Sequence, residues 1–343
     1  MLTPAPASAA ASAPASALPP PDRSLTVSII NYRTGALTIA CVRSVLDDLA
    51  RLEWIAARVV VVDNRSDDGS AEEIEAWIAA QVPPVPVRLI RSATNSGFSG
   101  GHNQGIAAAP AAFYLVLNSD AVLRPGFFAA LLAAARTHPR AGLFAPRIEH
   151  EDGSPQISCF RFPTPASELI RGAATGPVTA LLRRWDMPLG AEPRDAEIGW
   201  ASFACILLRH EMLARIGPMD EGYFLYFEDT EYCWRARRAG WRIVPVPAAR
   251  AVHYRGGSGP VKALARARKR LPPYFYASRT RFFTQAHGRA GLLAANLAWH
   301  LGRAIAQARR LLGRPVPPAT AREAADLWIN ALDPLGDRRA TKG

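Results

Sequence analysis

Two clusters of polar residues carry the chemistry this chain can offer. The first, Glu228-Asp229-Thr230-Glu231, opens a basic segment, Trp234-Arg235-Ala236-Arg237-Arg238-Ala239-Gly240-Trp241. Like-charged neighbours raise the pKa of a carboxylate, whereas a cation or a helix N-terminus lowers it. Asp229 is therefore a candidate base and Glu228 its tuning partner. The second cluster is Asn118-Ser119-Asp120, at the end of an apolar run, with His253 as a further candidate metal ligand. A divalent cation there would neutralise charge building on a departing diphosphate. Side by side, the two clusters suit sugar transfer from an activated nucleotide to a hydroxyl.

Such groups need a rigid frame. Apolar runs over 25–30, 59–62, 87–90, 113–117 and 203–208 read as strands. Helical spacing covers 35–49, 71–80 (with Asp68 and Ser70 as caps), a short stretch after Ser99, and 126–136, with a helical turn over 211–216. Alternating strands and helices predict an α/β fold with a mostly parallel central sheet, whose ligands bind beyond the carboxyl ends of the strands. Asn31-Tyr32, Asp63-Asn64, Asn95 and Asn118-Ser119-Asp120 all fall at such ends.

Asp63 follows four valines and could accept the imide hydrogen of uracil or thymine; its loop also mimics part of a calcium site, and a plain strand–helix turn is a third reading. The glycine-rich run from Asn95 through Asn103 to Gly105 could turn backbone N–H groups toward phosphate, or could simply be a tight crossover. Residues 150–198, rich in Pro, Gly and Arg, read as a mobile connection. An amphipathic stretch spans about 274–312.

The 343 residues are 49% apolar and carry a net charge of +12, unevenly spread. From Tyr232 to Arg322 there are 19 Lys and Arg and no Asp or Glu; the remainder holds 22 basic and 29 acidic residues. The positive excess suggests an extended anionic partner, such as a membrane surface, a lipid diphosphate or RNA; a solvated basic tail is the other reading. Residues 1–23, almost all Ala, Pro and Ser, predict a disordered leader. No apolar run is long enough for a transmembrane helix; free thiols suit the cytoplasm, with the basic region expected to dock at the inner face of the membrane. Cys41, Cys205 and Cys233 sit among apolar neighbours as core thiols.

Taken in order, SIINYRTG, VVVVDNRSDDGS, NSGFSGGHNQGI, LVLNSDAVL, GWASFACILLRHEMLARIGPMDEGYFLYFEDTEYCWRARRAGW and HYRGGS resemble the family 2 glycosyltransferases, in particular their bacterial rhamnosyltransferase and galactofuranosyltransferase branch. The resemblance covers about residues 25–258. It implies a GT-A nucleotide-sandwich domain over 24–258, a basic helical extension over 259–343, inversion at the anomeric carbon and a divalent cofactor, Mn2+ or Mg2+. By position, Asp63 looks like the acid that recognises the base, and Asn95 and Asn103 lie in the nucleotide-proximal turn. Asn118-Ser119-Asp120 stands in place of the family's D-x-D, so Asp120 looks like a metal ligand, joined by His253. Asp229 looks like the catalytic base, and Trp200 sits where an aromatic side chain lines the acceptor sugar. The departure is Asn118 in place of the first Asp.

Other classes differ in what they require. A nucleotidyltransferase would want a second metal-binding carboxylate. A nucleic-acid-binding module would use Tyr274, Phe275, Tyr276, Phe282 and Phe283 as stacking platforms among the arginines.

Overall fold

A computed structural model describes residues 23–52, 55–83, 85–191, 193–254, 260–316 and 318–336. The expected leader, apart from Arg23, and the expected boundary at 258/259 lie outside the described residues. In chain order the elements are β1 (Ser24–Asn31), α1 (Gly35–Leu49), β2 (Ala56–Asp63), α2 (Ser70–Ala79), β3 (Val87–Arg91), α3 (Gly97–Ala107), β4 (Phe113–Asn118), β5 (Ala121–Leu123), α4 (Phe127–Thr137), β6 (Ala141–Glu149), β7 (Cys159–Phe160), α5 (Pro165–Ala173), α6 (Gly176–Leu181), β8 (Trp200–Ala201), β9 (Cys205–Arg209), α7 (His210–Ile216), α8 (Glu228–Arg238), β10 (Arg242–His253), α9 (Val261–Arg266), α10 (Pro273–Leu311) and α11 (Glu323–Asp326).

Eight strands form one sheet in the order β3-β2-β1-β4-β9-β6-β10-β5, in which β9 and β5 run against the rest. The carboxyl ends of β1, β2, β4, β6 and β10 therefore share one edge. Alternation along β1 explains the layering: Leu25, Val27 and Ile29 face the core beneath α1, α2 and α4. Thr26 and Ser28 face α3, where Thr26 donates to the Ala109 carbonyl (2.6 Å) and Ser28 meets His102 Nδ1 (2.9 Å). A second core, including Val116, Ile206, Leu208 and Met212, lies beneath α7 and α8.

One expectation needs correction, and one rival reading loses its support. Residues 150–198 are not a loose connection: they contain β7, α5 and α6, and α5 lies along α10 with a capping box between Thr164 and Ser167. The aromatics of the basic region are not stacking platforms either. Tyr276, Phe282 and Phe283 are buried, and Phe275 packs against Tyr226 and Phe227. The amphipathic stretch over 274–312 is present as α10, interrupted at Gly288. All four cysteines are buried free thiols.

The helices after residue 260 close onto α5 through a buried ionic network. Arg279, 2% exposed, donates to Glu168 (2.9 Å) and Asn296 (2.7 Å), and Glu168 also pairs with Arg171, which reaches Glu323.

Candidate active site

The carboxyl edge of the sheet assembles three groups of residues. At the ends of β1 and β2, Asp63 accepts from Asn31 Nδ2 (2.7 Å), Ser66 Oγ (2.5 Å) and Ser66 N (3.2 Å). Asn31 is wholly enclosed, and its amide oxygen takes the backbone N–H and hydroxyl of Thr34 and the hydroxyl of Thr38. It therefore braces Asp63 and the 63–70 turn. Tyr32 is half-buried beneath the Arg33 guanidinium, 5.2 Å from the ring centroid. Asn64 and Ser66 turn inward to protein partners, which removes them as calcium ligands.

Asn64 latches the glycine-rich turn. Its Nδ2 donates to Asn95 Oδ1 and the Gly97 carbonyl (both 3.0 Å), and its Oδ1 accepts from Ser96 N (3.0 Å). Gly97 has φ +68, and a Cβ there would collide with the Phe224 carbonyl; only glycine suits that approach. From the next turn of α3, Asn103 Nδ2 donates to the Met219 carbonyl (2.9 Å) and Glu221 (3.1 Å), while its Oδ1 accepts from Met219 N (3.1 Å). The run thus ties the edge of the sheet to the loop that leads into α8.

The second group lies at the ends of β4 and β10. His253 Nε2 stands 3.1 Å from Asp120 Oδ1 and 3.3 Å from Asn118 Nδ2. The antiparallel pairing of β5 with β10 sets Ala121 opposite His253, and Tyr254 N donates to the Asp120 carbonyl (3.0 Å). Gln156 braces the strand end by donating to the backbone oxygens of His253 and Glu149 (both 2.8 Å). Ser119 meets Thr34 Oγ1 at 3.0 Å and joins this group to the first. Among the described residues no three His, Cys, Asp or Glu side chains gather around one point. One carboxylate and one imidazole fit a cation that takes its remaining ligands from substrate phosphates and water.

The third group opens α8. Its N-cap Phe227 (φ 66) and the preceding Tyr226 (φ 71) are both in the left-handed region, a strained entry that presents Glu228 and Asp229 at the helix start. Burial pushes the Asp229 carboxyl up to about 6, against hydrogen bonds from Thr230 and the Phe203 backbone. Glu228 is driven well above the usual carboxylate range by burial and then by Asp229. Its Oε2 is buried without a hydrogen bond. Glu231, in contrast, is held by Arg235 (2.6 Å). The groups adjoin: Phe203 bonds Asp229, and the carbonyl of the next residue, Ala204, accepts from Asn118 N (2.9 Å). Trp200 stacks on Phe160 (4.3 Å) beside α8, since the neighbouring Ala201 carbonyl lies 4.0 Å from Cys233 Sγ.

A family model described as "Glycosyltransferase like family 2" matches residues 20–271. The chain belongs to glycosyltransferase family 2. One relative, the N-acetylglucosaminyl-diphospho-decaprenol L-rhamnosyltransferase of Mycobacterium tuberculosis, is 32% identical over 280 residues, 75% of this chain and 83% of the relative. The low-salt glycan biosynthesis hexosyltransferase Agl10 of Haloferax volcanii is 26% identical over 67% of this chain and 66% of its own length. Among solved structures, the mannosyltransferase PcManGT of Pyrobaculum calidifontis, in complex with GDP-Man and Mn2+, matches with a TM-score of 0.52, 16% identity and coverage of 91% and 81%. GalNAc-T7 with UDP, GalNAc and Mn2+ matches at 0.54, with 14% identity and coverage of 86% and 59%. The fold is GT-A-like, and the protein is a glycosyltransferase.

Several residues at this site carry no sequence signal of their own. Thr34, Thr38, Ser66 and Ser70 form the hub around Asn31, and Gln156 supports His253 from a loop about a hundred residues away in sequence. A hydroxyl in a turn looks alike whether it faces solvent or a buried amide. In sequence Ser70 reads only as a helix cap and Ser66 only as part of the calcium-like loop, and neither reading points to this hub.

Proposed function

We propose that this glycosyltransferase transfers L-rhamnose from dTDP-rhamnose to a hydroxyl of a glycan or polyprenyl-diphosphate-linked saccharide during cell-surface polysaccharide synthesis. Galactofuranose or another UDP-hexose is the second choice of donor. The observation that carries the reading is the adjacency of Asp229, poised near 6, to the Asp120–His253 pair across Phe203 and Ala204. The Mycobacterium tuberculosis relative, named for rhamnosyl transfer to a decaprenyl-diphosphate-linked sugar, supports this donor and acceptor class.

In the proposed reaction Asp229 removes the proton from the acceptor hydroxyl as its oxygen attacks the anomeric carbon. The bond from that carbon to the diphosphate oxygen breaks in the same step, so configuration inverts. Asp63 and Tyr32 receive the nucleoside, with Asn31, Asn64, Asn95 and Asn103 holding the surrounding loops. Trp200 and Glu228 border the acceptor sugar. Asp120 and His253, with Asn118 and Ser119 beside them, would hold Mn2+ or Mg2+. When bound, the ion supplies charge neutralisation for the leaving diphosphate.

Calorimetric titration of dTDP, UDP, GDP and ADP, with and without manganese, tests the donor site on wild type and Asp120→Ala. Metal-dependent binding of dTDP or UDP, weakened at least tenfold in the variant, is the expected result. Failure of all four nucleotides to bind with metal present would overturn the reading.

A further inference from the structure

We propose that the second half of α10 is a docking surface for an anionic lipid bilayer. Beyond the break at Gly288 the helix buries Leu292, Trp299 and Ala306 against the body of the protein. Its opposite face is also apolar. Leu293, Leu297, Leu301 and Leu311 are 49%, 54%, 56% and 88% exposed, and the residues between them on that face are alanines. At about 100° per residue the four leucines fall within an arc of roughly 80°. A helix facing water usually places charged side chains there; an exposed apolar stripe of this length marks an interaction surface.

The charge around the stripe selects its occupant. Arg289 stands at its start and Arg309, Arg310 and Arg314 at its end, within the long segment free of Asp and Glu. Leucines that enter the acyl boundary while guanidiniums remain among lipid phosphates match an anionic interface. A second copy laid along the stripe, in either direction, would set arginines against arginines with no carboxylate to receive them. Among the described residues no helix is long and apolar enough to cross a membrane, so the helix would lie along the surface. The docking stands on α10 alone; its purpose, bringing the site to a lipid-linked acceptor, rests on the function proposed above.

Co-sedimentation of the full chain with phosphatidylglycerol-containing vesicles and with phosphatidylcholine vesicles provides the test. The wild type is expected to bind the anionic vesicles at least tenfold more tightly than the zwitterionic ones. The Leu293→Ser/Leu297→Ser/Leu301→Ser variant, and separately Arg289→Gln/Arg310→Gln, should each weaken anionic binding at least tenfold. Both should keep the far-UV spectrum and nucleotide binding of the wild type. Unchanged binding by the triple-serine variant would overturn the proposal. So would a wild type that ignores vesicles but forms dimers that the variant lacks, because a second copy would then occupy the stripe. Vesicle binding without nucleotide binding would retain the docking surface and remove the donor site.

Discussion

At the scale of single residues, the pair at the head of α8 sets how the protein answers pH. As the proposed base, Asp229 must be ionised to accept a proton, and burial raises its carboxyl to about 6. kcat/KM should therefore fall about tenfold per pH unit below that value, and Asp229→Asn should lose about 10²–10⁴ in kcat while keeping nucleotide affinity. Stability runs the other way. Folding raises the proton affinity of both carboxyls, so their contribution is fully present below the unfolded pKa and is lost as pH rises through the folded values. Glu228→Gln mimics the protonated form of Glu228 and removes one of the two charges. Its Tm should exceed that of the wild type by about 1–2 °C at pH 8 and converge with it near pH 4, as scanning calorimetry would read. The sequence made these carboxylates visible because polar residues after apolar runs stand out. The direction of their shift was not visible, because it depends on burial by loops that are distant in sequence. Asn31 makes the same point: it stands at a strand end like Asp63, yet its amide is consumed inside the turn.

Among the elements, the loop from Pro218 to Phe227 is held from two sides. α3 grips it through Asn103 and through Phe98 N, which donates to the Phe224 carbonyl (2.8 Å). α10 grips it through Ser278, Arg281 and Phe275, whose ring meets Tyr226 and Phe227. Phe275→Ala should cost about 2–4 kcal/mol of stability and relax the left-handed entry to α8. Its kcat should drop more than its donor affinity, since Asp63 and Asp120 lie outside the loop; steady-state kinetics beside nucleotide titration would separate the two. Apart from the three-residue β5, the strands and helices up to residue 137 were legible because each keeps one hydrophobic period. β6 and β10 were not, because Pro146, Pro245 and Pro247 break the strand signal. The structure accommodates them with a register shift between Val246 and Arg250. Likewise α5 hid in a stretch whose prolines and arginines suggested a linker, although Pro165 opens a helix and Arg171 joins a buried network.

For the molecule as a whole, that network decides whether the basic region stays attached. Glu168 is buried, yet Arg171 and Arg279 outweigh its burial and hold it down to about 2. Glu168→Ala would strand the Arg279 charge in the interior, and denaturant unfolding should show a loss of about 3–5 kcal/mol. The uneven charge of the sequence announced a distinct basic region, and the fold gives that region two surfaces: one half of α10 packs on the loop before Asp229, and the other carries exposed leucines. The same arrangement imposes an order on synthesis. A ribosome that has delivered the sheet through His253 has yet to deliver Phe275, Ser278 and Arg281, which fix the loop before the proposed base. The proposed nucleotide edge can assemble on the nascent chain while the opposite wall of the cleft is still unmade. On the proposed function, competence to bind a donor would precede competence to use it, and a chain terminated before α10 would hold nucleotide sugar without consuming it.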